Sequence, residues 1–337
     1  MPLSKKVLPP REAPLSTFVR RCIKRAQNTA HKFDLWHRGD AFIVCVSGGS
    51  DSLCLLDMLV LLQKKQAFAL HVVHVNYHLR GRDSTQDERL VRGAALRYGL
   101  TFSCLSQEKK LKNASEETLR DIRYAFFEAT RQKINAHSIV VAHNQDDQAE
   151  TLLMRLLRGA GLSGLSAMRP KNDHVIRPLI EMSRSDITQY LKERHITSRE
   201  DKSNTDPRYF RNQIRHALIP YLEKNFQPQT RKLLAETALL LGEDYATLTS
   251  IPATLAIKQS PLAVEFSCAA IVALPLALIR QELRFVLTPF LSGKNPDKNL
   301  VNELIKALKS TKGKTQTLTF RGLKFVRKGD IVRLLNF

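Results

Sequence analysis

A short apolar run, Ala41-Phe42-Ile43-Val44-Cys45-Val46, breaks directly into Ser47-Gly48-Gly49-Ser50-Asp51-Ser52 and then into a helical pattern over Leu53–Lys65. A run that is apolar at successive positions, not at alternate ones, predicts a strand covered on both faces, as in a parallel sheet flanked by helices. Further strand-like runs lie at Ala69–Val75, Thr101–Ser106 and Ser138–Ala142, with helical stretches at Ser84–Tyr98 and Ser115–Ala136 between them. The second stretch starts with Asn113 and Ser115 as N-cap candidates and with Glu116 and Glu117 where acids favour a helix start. Strands alternating with helices predict an α/β fold with a parallel sheet.

The rhythm changes after Pro220. Helices are expected at Gln229–Thr249 and Leu276–Leu291, the latter with Pro275 at its first position. The stretch from Thr317 to Leu335 alternates around a Lys328-Gly329-Asp330 turn. Three regions are therefore expected. Residues 1–38 form a basic extension with a helix at Phe18–Lys32, residues 39–216 the α/β domain, and residues 217–337 a smaller, mainly helical, basic α+β domain.

Charge narrows the partners. Lys and Arg number 53 against 32 Asp and Glu, a formal net charge of +21. Such an excess suits a polyanion such as nucleic acid, although charge kept for solubility gives the same sum. Five scattered cysteines without a C-x-x-C argue against a disulfide framework or a zinc knuckle. The N-terminus has no apolar signal core, and the longest apolar stretch, Phe266–Ile279, falls short of the roughly 20 residues a membrane helix needs. A cytoplasmic chain with no membrane contact is expected.

A Gly/Ser turn between a buried strand and a helix start is an anion site. Its N–H groups are free, the helix dipole favours negative charge, and glycine lets phosphate come close. Ser47, Gly48, Gly49, Ser50, Asp51 and Ser52 are candidates to bind ATP phosphates. There is no Walker lysine in the chain, and Asp51 is a candidate Mg²⁺ ligand, since a carboxylate beside phosphates needs a bridging cation. The alternative is a plain turn with Asp51 as a helix cap. Gly159-Ala-Gly161-Leu-Ser-Gly164 fits a dinucleotide pattern but follows a helix instead of a strand, so it is no such site.

A second group of candidates lies in Ala142-His143-Asn144-Gln145-Asp146-Asp147-Gln148-Ala149-Glu150-Thr151, which runs from a strand end into a helix. Asp147 and Glu150 share a helix face at i,i+3, and Asp146 approaches Glu150 at i,i+4. Like charges so close call for a compensating positive group, either a lysine substrate or Mg²⁺. The plain alternative is a pair of first-turn acids complementing the helix dipole. Arg120 and Arg123 share a face of the preceding helix. They suit a phosphate or an adenylate, or else a surface pair with Asp121 or Glu128. His78 and Arg80 end the second strand within reach of a nucleotide, and His143 is a further nucleotide candidate. Arg208, Arg211 and Arg215, with Tyr209 and Phe210, suit phosphate contact and base stacking, or else a capped surface loop built around Asn204 and Asp206.

Taken together, SGGSDS, HVNYHLR, the R-x-x-R-Y of residues 120–124, AHNQDDQAET, LLRGAGLSGL, RPLI and EDKSNTDPRYFRNQIR resemble the tRNA(Ile)-lysidine synthase family, and SGGSDS itself resembles the loop of ATP-pyrophosphatases. The likeness is dense over residues 40–216. The chain departs from the common family pattern at Tyr77, His78 and Leu119, and longer members carry a further domain beyond the position of Phe337. The resemblance implies an adenine-nucleotide α-hydrolase-like (PP-loop) fold, with ATP and Mg²⁺ as cofactors. It implies free L-lysine and a CAU-anticodon tRNA(Ile) as substrates, and leaves a homodimer open. It further implies Asp51, Asp147, Glu150 and Arg123 as catalytic residues, with Asp51 on Mg²⁺. His143 and Arg211 would join the loop on ATP, Asp147 and Glu150 would take lysine, and Arg208, Arg211 and Arg215 would contact tRNA. Three other readings compete. A tRNA thiolase would need paired reactive cysteines or a cluster, and an amidating synthetase would not need the basic tail. A non-catalytic RNA-binding protein would have no use for the intact loop.

Overall fold

The computed structural model describes residues 14–79, 81–106, 114–199, 208–250, 256–260, 263–291, 296–310, 315–320 and 322–336. The chain forms two compact units, Met1–Tyr245 and Ala246–Phe337.

The first unit opens with α1 (Thr17–Lys32) and continues as β1 (Ala41–Cys45), α2 (Ser50–Gln66), β2 (Ala69–Asn76), α3 (Arg82–Arg97), β3 (Thr101–Ser106), α4 (Glu116–Lys133) and β4 (Ser138–Val140). Then come α5 (Gln145–Leu157), the single turn α6 (Leu162–Leu165), β5 (Lys171–Asn172), β6 (Val175–Ile176) and α7 (Arg184–Glu193). It closes with α8 (Phe210–Gln213), a π-helical turn at Ile214–Leu218, α9 (Ile219–Asn225) and the part of α10 (Thr230–Ser250) up to Tyr245. The sheet order is β3-β2-β1-β4-β6-β5, parallel throughout except for the β5–β6 edge. This is the α/β architecture expected from the apolar run: Phe42, Ile43 and Val44 are wholly buried, with α2 contributing Leu53, Leu55, Leu56 and Met58 to the core. Burying each such side chain contributes about 1.5–3 kcal/mol.

The connections after β1 run first to β2 on one side, and the chain later returns to β4 on the other. The crevice between the carboxyl ends of β1 and β4 is therefore the point where the strand order reverses, the position at which open α/β sheets bind ligands. Ser115 caps α4 by accepting from the Thr118 amide, as expected, whereas Asn113 lies outside the described residues.

A fully buried carboxylate, Asp57 on α2, ties three helices together. It accepts from Tyr98 just after α3 at 2.5 Å, from Tyr190 on α7 at 2.6 Å, and from Nε and Nη2 of Arg194 at 2.8 and 3.0 Å. The hub fixes how α7 lies along α2 and so sets where the first turn of α7 falls relative to the loop before α2.

The π-helical turn has a covalent cause. Pro220 in the first turn of α9 has no N–H to give, and its ring would crowd the carbonyl four residues back. The chain accommodates one surplus residue, so that the Ile219 amide reaches the Ile214 carbonyl five residues back.

The compact unit extends past the expected boundary at 216, because α10 buries Ala235, Ala238 and Leu239 in this unit. Ala238 packs with Leu152 and Ala167. The second unit contains β7 (Lys258–Gln259), β8 (Ala263–Ser267), α11 (Cys268–Val272), α12 (Leu276–Leu287), α13 (Lys298–Lys309), β9 (Thr315–Phe320), β10 (Leu323–Lys328) and β11 (Ile331–Asn336). Its antiparallel sheet has the order β7-β8-β11-β10-β9 and packs Phe325, Val332 and Leu334 against Ile279, Leu283 and Leu304. The β10–β11 hairpin turns at Gly329, as the alternation predicts. Pro275 is the N-cap of α12, one place before the position expected, and the α-helix gives way to a 3₁₀ turn at Thr288–Leu291 around Pro289. No helix among the described residues is long and apolar enough to cross a membrane.

Candidate active site

The loop after β1 takes its shape from one glycine and two hydroxyls. Gly48 has φ +94°, a conformation that side chains with a Cβ resist. Ser52 accepts the Ser47 amide at 3.2 Å and donates to the Gly49 carbonyl at 2.9 Å, so the turn is closed on itself. Gly49 is the N-cap of α2 with no side-chain cap, which leaves the helix-start amides for an incoming anion. The Arg199 amide bonds the Gly48 carbonyl at 3.2 Å, laying the end of the 196–199 stretch beside the loop.

Asp51, in the first turn of α2, faces Asp147 across the crevice. One nitrogen of Arg184, Nη2, lies 3.4 Å from Asp51 Oδ2 and 3.7 Å from Asp147 Oδ1. Burial raises the Asp51 carboxyl above its ordinary value. Arg184 opposes the rise, and the Asp147 charge adds to it. Two hard oxygen donors sharing one loosely held cation form the kind of set Mg²⁺ occupies together with phosphate oxygens, so the donor set fits that ion. The site also holds buried donors without a partner, Asn144 Nδ2 and Arg184 Nε. Such donors at a helix start suit an anion.

Helix α5 carries the acids. Asn144 and Asp147 form a capping box, each accepting the other's amide at 3.1 Å. The positive charge that Asp147 and Glu150 require comes from the chain itself, through Arg211 and Arg215. Glu150, fully buried, accepts from Arg211 Nε at 2.7 Å, and from Arg215 Nε at 2.6 Å and Nη2 at 2.8 Å. Asp147 Oδ1 accepts from Arg211 at 2.9 Å and Arg215 at 3.5 Å. Asp146 points elsewhere: it accepts the Arg184 amide at 3.0 Å and Arg231 Nη1 at 2.5 Å, tying α7 and α10 to the start of α5. Arg215 sits in the π-helical turn, a rare backbone form that is frequent at functional sites.

His143 follows β4, and Arg177 follows β6. Parallel pairing of Val140 with Ile176 sets the two side by side, and Arg177 Nε donates to His143 Nδ1 at 3.1 Å. Burial holds the His143 ring well below its usual basicity, reinforced by Arg177, Arg211, Arg120 and Arg123. Arg120 and Arg123 are exposed on α4, with their guanidinium groups 5.2 and 5.9 Å from the Tyr124 ring centre. Glu128 pairs with Arg131 instead of with either of them.

Other candidates lie differently. His78 bonds Ser106 at 2.7 Å on β3, while Tyr77 donates to the Leu119 carbonyl; both engage neighbouring elements of the scaffold. Arg80, Asn204 and Asp206 lie outside the described residues. Arg208, Tyr209 and Phe210 are exposed, with Arg158 stacked 5.5 Å from the Phe210 ring centre. Sequence reasoning passed over Arg184 and Arg177. Arg184 left one signal: a base in the first turn of a helix opposes the dipole unless an acid answers it.

A family model described as a PP-loop domain matches residues 17–222. The tRNA(Ile)-lysidine synthase of a Nostoc species is 33% identical over 320 residues, covering 89% of this chain and 91% of that one. That of Geobacter sulfurreducens is 42% identical over 67% of this chain and 49% of its own length. The chain thus spans about half the length of the first curated relatives it matches. Among solved structures, the U34-tRNA thiolase NcsA from Methanococcus maripaludis, with its [4Fe-4S] cluster, superposes with a TM-score of 0.57 at 19% identity. It covers 67% of this chain and 80% of that one, a likeness of fold.

Proposed function

The chain belongs to the tRNA(Ile)-lysidine synthase family of PP-loop proteins, and from that premise we propose that it ligates lysine to C2 of the wobble cytidine of a CAU-anticodon tRNA(Ile), converting ATP to AMP and pyrophosphate. The product, lysidine, changes the codon read from AUG to AUA. The observation that carries this reading is the meeting of Asp51, Asp147 and Glu150 with three arginines at the switch point between β1 and β4.

In the first step the cytidine O2 attacks the α-phosphorus, and the bond from that phosphorus to the pyrophosphate oxygen breaks. The loop amides and the Ser47 and Ser50 hydroxyls hold the phosphates, Ser52 keeps the loop in shape through the Gly49 carbonyl, and Arg184 Nε and Asn144 Nδ2 supply unused donors to the charge that develops. Asp51, with Asp147 opposite, would hold Mg²⁺, which supplies charge neutralisation at the phosphates when bound. Arg123 and His143 face the adenylate from the β4 side.

In the second step the lysine ε-ammonium gives up a proton, its nitrogen forms a bond to C2, and the C2–O bond to AMP breaks. Asp147 and Glu150 orient the amine and take the proton. Arg211 and Arg215 hold those carboxylates in the free chain, and the tRNA backbone offers both guanidiniums an alternative anion. The exposed Arg208 and the basic second unit extend that tRNA contact. The protein acts in the cytoplasm, where its tRNA is, and the same chemistry suits a monomer or a homodimer.

The thiolase reading has a solved structure of related fold behind it. Against it, the thiols of Cys45 and Cys54 are pushed well above their ordinary values by burial, and Cys22 and Cys104 to about 11. Thiols held protonated are poor nucleophiles. The test is transfer of labelled lysine to unmodified CAU-anticodon tRNA(Ile) with ATP and Mg²⁺, using a U-wobble tRNA and Asp51→Ala as controls. Incorporation that depends on ATP, on Asp51 and on the wobble cytidine supports the reading. Pyrophosphate release without incorporation would redirect it to another adenylation, and neither signal would end it.

A further inference from the structure

One hydrogen bond at the site decides a proton position. A guanidinium has only donors, so the bond from Arg177 Nε to His143 Nδ1 at 3.1 Å makes Nδ1 an acceptor. An imidazole whose Nδ1 accepts must carry its single proton on Nε2. Arg177 has no freedom to turn away. Its side chain is buried, Nη1 donates to the Arg169 carbonyl at 2.7 Å, and its own amide bonds the Pro170 carbonyl at 2.9 Å. His143 Nε2, by contrast, bonds none of the described residues.

The charges that bear most on the ring are Arg177 beyond β6, Arg211 on α8, and Arg120 and Arg123 on α4, while the nearby acids Asp147 and Glu150 are held by Arg211 and Arg215. A second proton would place an imidazolium among four guanidiniums. The only form compatible with this setting is the neutral ring with Nε2–H free.

We propose that Arg177 is a positioning residue that locks His143 in the Nε2–H tautomer, so that the imidazole serves as a hydrogen-bond donor to an oxygen of the adenylate and not as an acid or base. This rests on the reading of the β1–β4 edge as the adenylation site, and it assigns the proton handling of the second step to the carboxylates alone. Donation by a neutral ring is independent of pH across the range in which histidine ordinarily titrates.

Two arms test it. In the first, the full chain carrying ¹⁵N-histidine is examined by long-range ¹H–¹⁵N correlation, with His143 assigned by its loss in His143→Gln. The Nε2–H pattern is expected, unchanged from about pH 5.5 to 8. Arg177→Met is expected to release the ring into a mixture of tautomers that titrates, and Arg177→Lys, which still offers a donor, to restore the locked pattern in part. An Nδ1–H pattern, or ordinary titration in the unaltered protein, overturns the proposal whatever the variants do.

The second arm measures tRNA-dependent pyrophosphate release. The amide nitrogen of Gln reaches the place of Nε2, whereas that of Asn reaches the place of Nδ1. His143→Gln should stay within about 10-fold of the parent, and His143→Asn should fall about 100-fold, the loss typical of one donor to developing charge. The reverse order overturns the donor role. A parent protein that releases no pyrophosphate refutes the adenylation reading and with it the donor role, while the spectroscopic arm still decides the tautomer.

Discussion

Asp57 and Glu150 are both fully buried carboxylates bonded to arginine, yet they are built for different ends. Asp57 has four donors of its own, two phenols and two nitrogens of Arg194, which is itself 4% exposed. Glu150 shares Arg211 and Arg215 with Asp147, and those arginines are 34% and 13% exposed. A closed hub can exchange nothing. An open one, whose donors reach the surface, can hand them to phosphate and keep its carboxylates for another cation. Burial of an acid therefore does not mark a site; partners able to leave do.

The largest expected effect falls on the closed hub. Asp57→Asn strands Arg194 in the core and should cost about 3–5 kcal/mol of stability by chemical denaturation. Glu150→Gln should cost no more than about half of that, because Arg211 and Arg215 can hydrate, while lysine transfer falls about 100-fold. Equal stability losses in the two variants would erase the distinction. Arg211→Gln should weaken tRNA binding and lower the log–log salt slope by about 0.9, the share of one phosphate contact. An unchanged slope would mean that this guanidinium never leaves the acids.

The smallest effect has the opposite sign. Because burial and Asp147 raise the Asp51 carboxyl in the folded chain, folding favours its protonated form. Its ionisation therefore costs stability, a cost that sets in as pH rises through the unfolded-state value and is complete above the raised folded one. Asp51→Asn should accordingly raise the melting temperature of the ligand-free protein at neutral pH by a few degrees, about 1 kcal/mol at most, while abolishing pyrophosphate release. A lower melting temperature would make Asp51 a structural cap.

What the sequence made legible was local. The apolar run into Ser47–Ser52 announced a strand, a tight Gly/Ser turn and a helix in one reading, because each is set by neighbours within a few residues. The acids of α5 were equally plain. Arg184 and Arg177 were not, since their meaning depends on which strands pair and how helices lie. Arg184 reaches Asp51 only because the Asp57 hub fixes α7 along α2, and Arg177 reaches His143 only through the β4–β6 pairing between two-residue and three-residue strands. Strands that short carry no pattern to read. The extent of the first unit escaped for a related reason: the rhythm of α10 announces a helix but not the face it packs against.

The helical turn before Pro220 bears on how this chain could change in length. A helix with one surplus residue is in effect an insertion that the fold has already absorbed. Removing a single residue between Arg215 and Pro220 would return the backbone to ordinary geometry at little cost to packing. Because the wide turn already takes up that residue, the helix on either side would keep its facing, and only the side chains of the turn itself, Arg215 among them, would be re-aimed. The helix would survive such an edit, and Glu150 would lose the two bonds it accepts from Arg215. Length in this segment is thus under chemical and not structural control: the chain can lose the residue and stay folded, but it cannot lose it and stay in register with its acids.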